Sequence, residues 1–147
     1  MKLWPSKYYR GLSKTRKLHR HAEIKRFGAM GFRDPAAYTG FATDRGVKTR
    51  KSSYTVAWKQ RFPDARSLEE KAQVTGVPLH FLLKSYNRGM AAWRTGHRPG
   101  ATQQQWGYAR VHSFLLCGTT ARTTDSDLRR ESVAVSKGAR QWFAGCK

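Results

Sequence analysis

The sequence predicts a mainly α protein: a small helical domain preceded by a basic, partly irregular arm. Three observations predict it. Apolar residues between Tyr54 and Leu115 recur at three- and four-residue spacing, the period of a helix face. Two boxes, Ser67 with Glu70 and Thr102 with Gln105, have the Ser/Thr-x-x-Glu/Gln form that opens helices. The chain is 147 residues long and 39% hydrophobic, so it has the length of one ordinary domain and can bury a core. The expected organisation is a basic arm with one helix over 1–53, a helical core module over 54–128, and a tail over 129–147.

In the arm, "SKTRKLHRHAEIKRFG" reads as a helix capped by Ser13, running to about Phe27 and stopped by Gly28. Leu18, Ala22 and Phe27 form a thin apolar seam, and the remaining face is rich in Lys and Arg. The following "FRDPAAYTGFATDRGVKTRKSS" holds turn formers and scattered aromatics, as in loops or short strands. In the core module, Tyr54, Trp58 and Phe62 mark one face of a short helix that ends before Pro63. Ser67 then caps a helix with Glu69 and Glu70 at its positive dipole end, and Gly76 ends it. Pro78 starts the next helix, in which Leu79, Leu82, Leu83 and Tyr86 make an apolar stripe.

This pair resembles the helix-turn-helix of bacterial repressors. Ala72 stands where that motif holds a small residue, Gly76 and Val77 at its turn, Leu82 at a buried position and Asn87 near its end. Ser85 departs, in a position usually held by Val, Ile or Leu. Only His80, Lys84 and Asn87 of the second helix are of types that read bases, so the expected sequence preference is modest at most.

The stretch "NRGMAAWRTGHRPGATQQQWGYARV", Asn87 to Val111, is the densest in the chain. Met90 to Trp93 continue the second helix past Gly89, and "RTGHRPGA" forms a turn-rich loop. Thr102 and Gln105 open a further helix that buries Trp106, Ala109 and Phe114 on one side, or Tyr108, Val111 and Leu115 on the next. Arg94, His97 and Arg98 thus meet a helix N-terminus, a ready-made anion site.

Charge points to the class of partner. Twenty-nine Lys and Arg against nine Asp and Glu leave +20, with a pI near 10.9. Residues 1–61 hold sixteen basic and three acidic residues, residues 62–147 thirteen and six. A field of that size suits a polyanion. No apolar run approaches the ~20 residues of a membrane span, and the first twelve residues lack the apolar centre of a signal peptide, so neither a membrane nor secretion is expected. Cys117 and Cys146 read as two reduced thiols. No metal-ligand spacing accompanies His19 and His21, so no metal or cofactor is expected. Catalysis has little support: acids are thin, none lies between Glu70 and Asp125, and no nucleophile elbow appears.

The blocks "KYYRGLS" (Lys7 to Ser13), "GVKTRKSSYT" (Gly46 to Thr55) and "YNRGMAAWRTGHRPGATQQQWGYARVHSFL" (Tyr86 to Leu115) carry a resemblance covering roughly residues 7–128. The chain resembles a family of small basic proteins that carries a domain of unknown function. Its members are encoded by large DNA viruses of algae and protists and by marine tailed phages. The resemblance implies a viral setting, in the virion or the infected cell, and assigns no activity. The expectation from charge and loop chemistry is phosphate-mediated binding of DNA or RNA. Arg94, His97 and Arg98 form the anion pocket, and Lys84, Asn87, Arg88 and Arg110 line the same face. Lys14, Arg16, Lys17, Arg20, Lys25 and Arg26 supply long-range charge. The alternative is a virion structural component, a minor capsid or cement protein whose arm and aromatics bind other capsid subunits.

Overall fold

The computed structural model describes residues 5–30 and 40–146. These form eight α-helices and no strand, so the fold is mainly α. In chain order they are α1 (Lys14–Gly28), α2 (Ser53–Arg61), α3 (Leu68–Thr75), α4 (Leu79–Trp93), α5 (Gln103–Leu115), α6 (Thr119–Arg122), α7 (Ser126–Val135) and α8 (Lys137–Ala144). Short 3-10 turns occupy Ser6–Tyr8 and Ala42–Asp44. Of the loops or strands expected after α1, residues 31–39 lie outside the described residues. None of the described helices is long and apolar enough to cross a membrane.

The chain divides into two compact units, Met1–Arg50 with Met90–Trp106, and Lys51–Gly89 with Gly107–Lys147. In the first unit, the Ser13 hydroxyl accepts from the Arg16 amide and starts α1 as the sequence predicts. Gly28 is the last helical residue rather than a left-handed stop; Ala29 follows in right-handed conformation and donates to Lys25. The buried face also differs from the seam read in the sequence. Leu18 is 53% exposed and Ala22 is exposed, whereas Arg20, His21, Ile24 and Phe27 are buried. Apolar matching overlooks this face because half of it is polar, and its heads find partners inside the unit. Ile24 and Phe27 join Tyr9 and Phe41, with Phe27 and Phe41 stacked at 4.9 Å. Trp93 is buried, and its indole N–H donates to Ala101 O at 2.9 Å.

The second unit is built around Trp58, Val77, Leu82, Val111, Phe114, Leu115, Leu128 and Phe143, each at most 3% exposed. Trp58 presents α2 to this core, and its N–H donates to Ala65 O at 3.0 Å. The Ser67–Glu70 capping box is complete in both directions. Gly76 ends α3 at φ +77°, and a Cβ there would stand 2.9 Å from Gly138 Cα. Glycine is therefore required twice, for the left-handed turn and for the close approach of α8. In α4, Phe81 and Leu82 are buried while Leu83 is 40% exposed, so the buried stripe differs from the predicted one at Leu83. α5 buries Val111 and Leu115 together with His112, Ser113 and Phe114; Trp106, Tyr108 and Ala109 are only half-buried. Thr102 and Gln105 form the second capping box, at 3.1 and 2.9 Å, on the first-unit end of α5.

Two further features of the second unit depart from the sequence reading. Residues beyond 128 form helices, and Ala139 and Phe143 of α8 enter the core. Cys117 and Cys146 are joined in a disulfide with their Cα atoms 5.7 Å apart, which corrects the expectation of two reduced thiols. Their 29-residue separation hides a spatial neighbourhood that only the packing of α8 creates.

Candidate nucleic-acid interface

Nine of the thirteen residues that the charge pattern singles out belong to the first unit and four to the second. In the first unit, the loop after α4 does hold an anion, and it is the chain's own. His97 is fully buried; its Nε2 meets Asp44 Oδ2 at 2.6 Å and its Nδ1 meets Trp93 O at 2.8 Å. Gly100 N–H donates to Asp44 Oδ1 at 3.0 Å. Arg20, fully buried on α1, donates to Asp44 Oδ1 at 2.6 Å, to Thr43 Oγ1 at 3.1 Å and to the His97 carbonyl. Its guanidinium also lies 4.4 Å from the Phe41 ring centre. Burial alone would push the Asp44 carboxyl up. The His97 hydrogen bond and charge, the Gly100 amide and Arg20 outweigh it and hold the carboxyl below its ordinary value.

Of the residues that the sequence assigns to an anion pocket, Asp44 therefore takes His97, and Arg20 of α1 turns inward to the same carboxylate. At the start of α5, the amides of Thr102 and Gln105 are met by their capping box. Arg94 Nη1 donates to Met30 O at 2.9 Å, and Arg16 Nη2 to Thr43 O and Arg45 O at 2.8 and 3.1 Å. Arg98 is half-buried, whereas Lys14, Lys17, Lys25 and Arg26 of α1 are exposed. Sequence reasoning misses Asp44; its signal is a single acid in "FATDRGVKTRK", a segment otherwise without carboxylates.

In the second unit Arg88 and Arg110 converge on acids. Arg88 grips Asp127 through both terminal nitrogens, at 2.9 and 2.7 Å, and reaches Asp125 at 3.0 Å. Arg110 holds Asp125 at 3.1 and 2.8 Å. Ser85 donates to Asp125 Oδ2 at 2.7 Å, so its hydroxyl helps to satisfy a fully buried carboxylate. Burial raises the Asp125 carboxyl, but Arg110 and Ser85 more than reverse it. Hydrogen bonding to Arg88 holds Asp127 down at about 2. Lys84 and Asn87 remain exposed on α4.

A second buried polar group lies between α2, α3 and α5. Lys71, 2% exposed, donates to the carbonyls of Ala65 and Arg66, and burial lowers it to about 8. His112 meets Thr55 Oγ1 at 2.9 Å and stacks on Trp58 at 5.7 Å. Burial, followed by the charges of Lys71 and Lys59, pushes His112 down to about 3, so its ring is neutral.

Against known proteins, residues 5–131 match a family of unknown function (DUF5824), and the chain belongs to that family. No curated protein and no solved structure matches the chain.

Proposed function

We propose that this chain binds nucleic acid, viral DNA foremost, through its phosphates, with little or no reading of sequence. The observation that carries the reading is how its charges are used. Five of the nine acids, Glu23, Asp44, Glu70, Asp125 and Asp127, are bound to partners inside the chain. Lys14, Lys17, Lys25 and Arg26 on α1, with Lys84 on α4, stay exposed. A net +20 whose acids are mostly engaged internally leaves a surface field that attracts a polyanion.

The resemblance to proteins of large DNA viruses and tailed phages supports viral DNA as the polyanion. In the second unit, α3, the turn at Gly76 and α4 supply a helix-turn-helix-like pair. His80, Lys84 and Asn87 are exposed at i, i+4 and i+7 of α4, so they share one face. That face offers one firm cation and few base-reading groups, which favours backbone contact over sequence readout. Arg20, His97, Arg88 and Arg110 stabilise the fold in this reading and contribute charge only at long range. The test is retardation of duplexes of unrelated sequence by folded protein at about 50 mM salt. Comparable retardation of all of them is expected, and no retardation removes the nucleic-acid reading.

A further inference from the structure

We propose that Arg122, Arg129, Arg130 and Arg140 form a phosphate-binding groove in the second unit that grips the backbone of a nucleic acid; the inference rests on the nucleic-acid reading above. The four arginines come from three helices and line an open groove of about 720 Å³. Arg122 ends α6, Arg129 and Arg130 lie on α7, and Arg140 lies on α8. Along α7, Ser126, Arg129, Arg130 and Val133 stand at i, i+3, i+4 and i+7, so one face of that helix looks into the groove. Phe143, 3% exposed, underlies it.

Two of the cations are oriented from within. The Arg129 guanidinium lies 5.5 Å from the Phe143 ring centre, and Arg140 Nη1 donates to Val133 O at 3.1 Å. Arg122 and Arg130 are exposed, and among the described residues no carboxylate pairs with any of the four. The contrast lies in the same unit, where Arg88 and Arg110 are both held by Asp125. Four like charges around one groove with no acid in its lining repel one another, and an anion between them removes that repulsion.

The chemistry selects phosphate. Every cation in the lining is an arginine, whose planar fork matches phosphate oxygens two at a time, and the Ser126 hydroxyl adds a donor. The groove is larger than one phosphate needs and suits consecutive phosphates of a strand. Partial pre-orientation of Arg129 and Arg140 reduces the ordering cost of binding. Arg140 and Phe143 lie beyond the part matched by the family, so the groove gives the last two helices a role in this chain.

The experiment compares two double variants of the full chain, each lowering the charge by two. Arg122→Gln with Arg130→Gln alters the groove; Lys59→Gln with Arg66→Gln alters exposed cations of the same unit outside it. Affinity for a labelled duplex is measured by anisotropy across a salt series, with melting as the check on folding. The groove variant should make the salt slope shallower by about two units while the control shifts it by less than about one. Equal shifts for both variants overturn the groove and leave nucleic-acid binding standing. No binding by the unaltered chain overturns both. Binding of pyrophosphate to the unaltered chain, with no effect of the groove variant on DNA, assigns the groove to a small polyphosphate and also overturns the proposal.

Discussion

At the scale of single residues, basic side chains serve two opposite ends in this chain, and burial separates them. The fully buried Arg20 is fixed by Asp44, whereas Lys17 and Lys25 of the same helix are exposed. Removing the carboxylate by Asp44→Ala leaves the Arg20 charge buried without its acid. It should destabilise by about 3 kcal/mol, the lower end for a broken buried pair because Asp44 keeps a fifth of its side chain exposed. Chemical denaturation measures this, and an unchanged midpoint would mean that the Asp44 contacts hold nothing together. His112 supplies a pH signature. Its folded value near 3 is below the unfolded value near 6.5, so the unfolded chain takes up a proton that the fold refuses. Its contribution is undiminished above 6.5 and is lost as pH falls toward 3. Between about pH 5.5 and 4.5, stability of the unaltered chain should fall more steeply than that of His112→Gln, by up to about 1.4 kcal/mol per pH unit. Parallel curves would mean that His112 accepts its proton inside the fold.

At the scale of elements, helix starts are legible in the sequence and buried faces only in part: Trp58, Leu82, Val111 and Leu115 are buried where apolar spacing puts them, whereas Leu18 and Leu83 are exposed. Ser13, Ser67 and Thr102 each cap where their local sequence says, because a cap is a contact over three residues and needs no tertiary knowledge. Ser67→Ala and Thr102→Ala should each cost about 1 kcal/mol. Thermal melting of the two variants checks this, and unchanged melting of both contradicts the role given to the boxes. The face of α1 is hidden because Arg20 and His21 take positions that an apolar pattern reserves for hydrophobic residues. Whether such a head is buried depends on Asp44 and Tyr9, which are far along the chain. The loop after α4 illustrates the same limit: the sequence marks His97 as anion-seeking together with Arg94 and Arg98, but no local pattern says that Asp44 meets His97 and the Gly100 amide. The pairings of Arg88 and Arg110 with Asp125 are likewise hidden, since 37 and 15 residues separate the partners. Arg129, Arg130 and Arg140 go unnoticed because they fall in the stretch read as a tail, although Ser126, Arg129, Arg130 and Val133 carry a helical spacing.

At the scale of the whole molecule, the positive charge of the twenty-nine Lys and Arg has two parts. One part is neutralised by the chain's own acids within each unit. The other is exposed and works against compactness unless a polyanion is near, because like charges at the surface repel. Nucleic-acid binding through phosphates is the central claim, and counterion release gives it a quantitative form. The most direct measurement is the affinity of the unaltered chain for a duplex across a salt series, plotted as log affinity against log salt. About 5–8 neutralised phosphates predict a straight line with a slope of about −4.5 to −7 and no dependence on duplex sequence. A slope shallower than about −2, or no retardation by folded protein at low salt, would contradict the account.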